Sequence, residues 1–333
     1  MKVSILDQSP VVANGTQTEA LQQSLRLAQA GERWGYERYW IAEHHDLKGL
    51  ACSNPDVMLS YIGAQTSTIR IGAGAVLLPH YKPYKVAETY NMLATLFSNR
   101  IDVGIGRAPG GSAEATMALS DNYLEQVRML PDKVKELLQF FDHGFPKDHM
   151  FSKVAPSPVP SVLPQPWILG TSGKSAKMAA ENGLPYTFGH FMSEKDGKEI
   201  TQQYKQNFQA KRTLKSPQII VTVSVICAET TEEAEQLAMS GYLWQLQQQT
   251  GKSTSGIPSM EEARNYSFSD KEQESIKAMK QKSIVGNQKE VVRTLKDLQQ
   301  AYQADEMMIV TITPTYEARL RSYELIANEL NKH

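Results

Sequence analysis

The chain has 333 residues, two cysteines and a formal net charge of −1, from 35 Lys+Arg against 36 Asp+Glu. A chain of this length buries most of its surface without disulfide or metal staples, and two cysteines exclude a disulfide scaffold. The balanced charge excludes an electrostatic grip on nucleic acid or on an acidic membrane.

Hydrophobic residues at 41% and charged residues at 21% are ordinary for a globular enzyme. Length alone suggests two domains, but α/β barrels of this size fold as one. No apolar run approaches the roughly 18 residues of a membrane span. The opening MKVSILDQSP has one Lys and no apolar run longer than Ile5-Leu6, so it reads as a first strand rather than a secretory signal. The expectation is a cytoplasmic protein with Cys52 and Cys227 reduced.

In chain order, a short apolar strand is followed by an amphipathic helix, again and again. Strand one is Val3–Leu6, followed by a helix from about Thr18 with Leu21, Leu25 and Ala28 on one face. Arg38–Ala42 is strand two and Asp56–Gln65 its helix, entered through Asn54-Pro55. Ile69–Leu78 and Tyr84–Phe97 form the third pair, Ile101–Ile105 and Tyr123–Phe141 the fourth. Residues 143–166 then carry six prolines, which forbid a regular helix. The rhythm resumes with Trp167–Leu169 and Ser175–Asn182, then Pro185–Gly189 and Glu194–Lys211. Gln218–Ala228 is strand seven, and Thr231–Gln248 its helix. Residues 249–283 are polar and carry no clear period. Gly286–Tyr302 reads as a helix, Met307–Thr313 as strand eight and Tyr316–Leu330 as the last helix.

Apolar, β-branched strands joined by helices imply parallel strands buried on both faces. Eight such pairs fit a closed (β/α)8 TIM barrel, one domain over residues 1–333, enlarged by an insertion after helix four (143–166) and another after strand seven (249–283). A barrel demands that special residues cluster just after the strands, at the carboxyl-end face.

They do. After strand two stands Glu43-His44-His45. Neighbouring strand side chains point to opposite faces, so the two histidines cannot share one metal ion. One imidazole is either a packed, hydrogen-bonded group or a general base at the barrel mouth. After strand three, Gly72-Ala73-Gly74-Ala75 offers either a tight wall or a bare backbone against which a flat ring could lie. After strand four, GIGRAPGG lacks the third glycine of a dinucleotide fingerprint because that place is Pro109, and no acidic strand end follows. What remains is Arg107, a surface charge or a bidentate phosphate clamp. After strand five, Gly170-Thr171-Ser172-Gly173-Lys174-Ser175 opens a helix, as a simple N-cap or as an anion site. His190 after strand six lines the pocket or caps a loop.

Through AEHH (42–45), Asn54-Pro55, GAGAVLLPH (72–80), AETYNMLATLFSNR (87–100) and DVGIGRAPGG (102–111), the chain resembles the bacterial luciferase-like flavin monooxygenases. Weaker matches run through GTSGKSAKMAAENGLP (170–185) and GNQKEVVRTLKDL (286–298), and the branch it is most similar to is that of the luciferase α chain. The resemblance implies a (β/α)8 barrel that uses reduced FMN with O2, or in some branches the deazaflavin F420 for hydride transfer. It implies that His44 is the acid/base beside the flavin and that Arg107 holds the flavin phosphate with Thr171, Ser172 and Ser175. It further implies that Gly74 and Ala75, in such families often joined by a non-proline cis peptide, support the isoalloxazine ring. Glu43 and His190 are further pocket candidates.

The reactive cysteine of the luciferase α chain is here Gly106, the aromatic beyond the arginine is replaced by the turn Ala108–Gly111, and a second phosphate arginine has no counterpart before Arg128. The expectation is therefore oxygenation of a small organic substrate without light. With no NAD(P)H motif visible, a separate NAD(P)H:flavin reductase is expected as the supplier of FMNH2. The remaining alternative is a flavin-binding protein without turnover. In position, 249–283 matches a mobile lid. The family often dimerises through helices two and three, which here carry Val57, Met58, Tyr61, Ile62, Tyr90, Met92, Leu93 and Leu96. No metal, nucleic-acid or membrane partner is expected.

Overall fold

In the computed structural model, which describes residues 1–195, 197–251 and 256–332, the strands are β1 Lys2–Asp7, β2 Arg38–Ile41, β3 Arg70–Leu77, β4 Ile101–Gly106, β5 Gln165–Gly170, β6 Tyr186–Gly189, β7 Ile219–Ala228, β8 Ser283–Asn287 and β9 Glu306–Val310. They form one sheet in the order β6-β5-β4-β3-β2-β1-β9-β7-β8, and the β6–β7 pairing closes the first eight into a ring. The pairings between these strands are parallel. This is a (β/α)8 TIM barrel. β8 stands outside the ring, because β7 runs past its register with β9 (Ile220–Ser224) and pairs Ser224–Ala228 with Ser283–Asn287.

Alternation along each strand sorts the side chains. Ile5, Ile41, Ile71, Val103, Ile105 and Ile168 point outward into the layer shared with the helices. Leu6, Trp40, Trp167, Ile220, Met308 and Val310 fill the interior, with the Trp40 and Trp167 rings edge-to-face at 5.5 Å. Buried on both faces, these strands have to be apolar at nearly every position.

Below that apolar plug, at the amino end of the barrel, lies a buried ionic layer. Arg38 on β2 donates Nη1 to Asp102 Oδ2 of β4 at 2.7 Å, and Nε and Nη2 to the two carboxylate oxygens of Glu306 on β9 at 2.8 and 2.9 Å. Arg70 on β3 reaches the other Asp102 oxygen at 2.5 Å, and Ser4 on β1 donates to Glu306. Burial opposes the charge on Asp102, but the guanidiniums of Arg38 and Arg70 outweigh it and hold the carboxyl below its ordinary range.

Three sequence expectations are corrected. The fourth helix is not one run from Tyr123 to Phe141: helices span Ala113–Leu119, Tyr123–Arg128 and Leu130–Asp142. Pro131 has no N–H for the bond back to residue 127, which breaks the ladder at Met129. Gly286 and Asn287 are not the start of a helix but the end of strand Ser283–Asn287, whose Ile284 and Val285 pair with the exposed edge of β7. The helix begins at Gln288 under an Asn287–Glu290 capping box. Within 249–283, helices Met260–Asn265 and Asp270–Lys282 stand where no period was legible. Residues 252–255 of that segment and Asp196 of the expected sixth helix lie outside the described residues. Residues 143–164 hold no helix or strand, and Asn91 ties them to the body of the fold by donating to Pro156 O at 3.1 Å. Among the described residues no helix is long and apolar enough to cross a membrane.

Candidate active site

The mouth of the barrel at the carboxyl ends of β1 to β6 gathers the polar residues singled out by the sequence. The strand-two cluster divides by alternation. Glu43 and His45 share one side, where His45 Nε2 meets Glu43 Oε1 at 2.8 Å. The same carboxylate accepts the Leu77 N–H at 3.1 Å and the Tyr81 hydroxyl at 2.5 Å. Glu43 is thus a buried tie between the ends of β2 and β3. Burial and the neighbouring Glu43 charge push the Tyr81 phenol well up, so it stays a donor.

His44 turns the other way. Its N–H donates to Cys52 O at 2.9 Å, and its Nδ1 is buried with no partner among the described residues. Burial drives the imidazole pKa down to about 4; Glu43 opposes that fall and His45 adds to it. His44 is therefore neutral at pH 7, with one ring nitrogen buried and unsatisfied. Buried polar atoms rarely stay so without a ligand or water to meet them.

Beside it the wall of β3 and β4 has almost no side chains. Gly72 and Gly104 lie deeper, where a Cβ would run into Asp102, Trp40 and the Ala73 carbonyl, whereas Gly74 and Gly106 stand at the carboxyl ends of β3 and β4. A Cβ on Gly74 would come within 2.8 Å of Leu6 Cδ1, and one on Gly106 within 2.8 Å of the Ala75 Cβ. The Gly74–Ala75 peptide is cis, and the β3–β4 register shifts between Gly74 and Val76.

Arg107 follows the last residue of β4 and is exposed. Its guanidinium makes no hydrogen bond or ion pair among the described residues, whereas its carbonyl accepts from Tyr123 Oη at 2.5 Å. The turn after it is fixed by other loops: His45 N donates to Gly110 O at 2.7 Å, His80 Nε2 to Pro109 O at 2.9 Å, and Ser112 Oγ to Asp46 Oδ2 at 2.7 Å. Gly110 has φ +76°, and a Cβ on Gly111 would fall 1.8 Å from His45 O, so both must be glycine.

On the neighbouring strand β5, helix Gly173–Glu181 opens with a capping box between Ser172 and Ser175. Ser175 is buried and committed: its hydroxyl donates to Ser172 O at 2.7 Å and lies 3.1 Å from the Tyr186 hydroxyl. Thr171 and Ser172 are partly exposed at the mouth. His190 places Nδ1 2.9 Å from the Tyr302 hydroxyl, and Tyr302 lies in the outer layer beside Phe188, so the structure ties His190 to the helical shell. The structure thus brings His44, Gly74, Ala75, Arg107, Thr171 and Ser172 to adjacent strand ends, with Glu43 and Ser175 supporting them from behind.

With this geometry in hand, comparison with known proteins gives the family. The profile of the luciferase-like monooxygenases matches residues 1–304. The chain belongs to the luciferase-like monooxygenase family. It is 33% identical over 329 residues to the N-acetyl-S-alkylcysteine monooxygenase of Bacillus subtilis, covering 98% of each chain. The crystal structure of apo-MsnO8 superposes with a TM-score of 0.88 at 32% identity, covering 99% of this chain and 98% of the other. The oxygenating constituent of 3,6-diketocamphane monooxygenase from Pseudomonas putida, solved with FMN, shares the fold with a TM-score of 0.70 at 17% identity, over 99% of this chain and 97% of that one.

Sequence reading missed the residues that support this mouth. His80 closes the GAGAVLLPH motif and Tyr81 follows it, and Tyr123 was legible only as a helix start. Their function is in what they touch across loops, which spacing alone does not carry.

Proposed function

We propose that this protein is a flavin-dependent monooxygenase that uses reduced FMN and O2 to oxygenate a small organic substrate. The observation that carries the reading is the unsatisfied, buried Nδ1 of His44 next to a wall stripped of side chains, with an unpaired guanidinium at the adjacent strand end. A planar ring would lie at the mouth over Gly74 and Ala75, where the side chains are no larger than a methyl group. A phosphate on the same molecule would sit between Arg107, Thr171 and the N–H groups of Gly173 and Lys174, which the capping box of Ser172 and Ser175 does not use. When bound, reduced FMN supplies the two electrons with which O2 is split, one oxygen atom entering the substrate and the other leaving as water.

The chain's own residues do the rest. Arg107 and the Thr171–Ser172 turn anchor the phosphate end. Gly74 and Ala75 bear the ring, and the apolar interior beneath, from Leu6 to Val310, keeps water from below it. His44, neutral and desolvated, accepts or returns a proton at Nδ1 beside the reacting centre. The FMN-bound relative of the same fold supports the cofactor, and the family as a whole supports the reaction class. A separate NAD(P)H:flavin reductase would deliver FMNH2, which makes the cytoplasm the compartment in this reading.

The test is binding followed by turnover. The protein is expected to bind FMN and, with photoreduced FMN, to couple O2 consumption to loss of substrate. Arg107→Ala is expected to weaken FMN about ten- to a hundredfold, the worth of a charge-assisted contact, while riboflavin, which lacks the phosphate, binds as before. Equal affinity of wild type and Arg107→Ala for FMN sinks the phosphate assignment.

The reading includes a homodimer. On helices Pro55–Gly63 and Pro83–Leu96, Val57, Tyr61, Met92 and Leu96 are 63%, 44%, 49% and 62% exposed, whereas Met58, Ile62, Tyr90 and Leu93 are buried. Four exposed apolar side chains on two neighbouring helices support an association surface here. Light scattering is expected to give twice the chain mass of 37.2 kDa, and Val57→Glu with Leu96→Glu to halve it. A monomeric wild type refutes the dimer.

A further inference from the structure

Arg107 is held by its backbone, not by its side chain. Gly106 before it is fixed in the sheet opposite Leu77. After it, the Arg107 carbonyl accepts from Tyr123 Oη at 2.5 Å and the Pro109 carbonyl from His80 Nε2 at 2.9 Å. The two donors brace one another, their rings stacked at 5.0 Å with 26° between planes. They come from different elements: His80 ends the short turn after β3, and Tyr123 opens helix Tyr123–Arg128. Tyr123 is half-buried, and its hydroxyl makes this bond at the exposed edge of the turn.

We propose that Tyr123 and His80 are positioning residues that preset the Arg107 guanidinium for an incoming phosphomonoester. A loop that already has its bound geometry does not lose backbone freedom when the ligand arrives. Tyr123 fixes the peptide plane immediately after Arg107 and His80 the plane two residues on. Between Gly106 and these two anchors, the backbone at Arg107, and with it the direction of the Cα–Cβ bond, is set before any anion is present, so the guanidinium starts from a fixed root. The proposal rests on the reading that Arg107 takes the flavin phosphate, and its test separates the two.

Affinity for FMN and for riboflavin is measured by quenching of flavin fluorescence, with thermal melts alongside. Tyr123→Phe deletes only the hydroxyl and keeps the stack on His80; His80→Phe deletes the bond to Pro109 and keeps a ring against Tyr123. Each is expected to weaken FMN about three- to tenfold, the worth of one net hydrogen bond, with riboflavin affinity and melting temperature unchanged. In turnover, KM for reduced FMN rises while kcat at saturation holds. Placed on Arg107→Ala, neither change costs anything further, because nothing is left to position. Equal losses for FMN and riboflavin, or additive losses on Arg107→Ala, overturn the proposal and leave a structural role. If Arg107→Ala weakens FMN and Tyr123→Phe and His80→Phe do not, the positioning fails while the phosphate reading stands. If Arg107→Ala itself leaves FMN affinity unchanged, both fall.

Discussion

His44→Ala is expected to lower kcat/KM by about two to four orders of magnitude, the usual worth of a positioned acid/base, with FMN affinity close to wild type. Its Nδ1 is buried without a partner, and burial holds the ring neutral with a pKa of about 4. The acid limb that His44 contributes to the pH profile therefore falls near pH 4 rather than near the free value of about 6.5. The same shift links to stability. The native state refuses a proton that the unfolded chain takes up below pH 6.5, so stability falls as pH drops from about 6.5 toward 4. Across that window the loss amounts to about 3 kcal/mol, at 1.36 kcal/mol per pKa unit. His44→Ala removes this slope, so denaturant midpoints of wild type and variant converge on acidification and separate again toward pH 7. Full turnover in the variant overturns the catalytic role. An unchanged acid slope overturns the burial of a neutral imidazole.

The barrel and most of its mouth were legible in the sequence, because both are written locally. Apolar β-branched runs such as Ile101–Ile105 declare strands, and residues that break the pattern just after them declare the functional face. The missed elements were written in a different code. Helices Met260–Asn265 and Asp270–Lys282 have mostly polar faces and bury little, so no period betrays them. Their starts were nevertheless spelled out by Ser259–Glu262 and Ser269–Glu272, two capping boxes. β8 was hidden because a five-residue strand beside a helix cap is defined by its partner, the overhang of β7, rather than by its own composition. The roles of Glu43 and Ser175 were hidden for a similar reason. Each faces a backbone group of its own loop system, and a carboxylate or hydroxyl at a strand end reads the same whether it meets a substrate or a peptide N–H.

The ionic layer at the amino end joins the same strands that deliver the site at the other end. Ser4, Arg38, Arg70, Asp102 and Glu306 lie on β1, β2, β3, β4 and β9; β2 goes on to His44, β3 to Gly74 and Ala75, β4 to Arg107. Conserving geometry below while varying loops above is how a barrel separates stability from chemistry. Arg38→Ala is therefore expected to cost about 3–5 kcal/mol, the penalty for leaving a buried charge without its partner. The orphan is Glu306, since Arg70 still serves Asp102. Arg70→Ala, whose side chain is 24% exposed against a fully buried Asp102, is expected to cost less, about 1–3 kcal/mol, because Arg38 still serves that carboxylate. Replacing the pair together, Arg38→Met with Glu306→Met, is expected to recover most of the loss, because an apolar couple of similar volume needs no charge compensation. Urea unfolding of the three variants checks the order, and FMN titration of the folded proteins is expected to return unchanged affinities. A loss for Arg38→Ala no greater than for Arg70→Ala would show that the layer does not hold the barrel together. A drop in FMN affinity in the folded double variant would show that this end of the barrel also sets the geometry of the mouth.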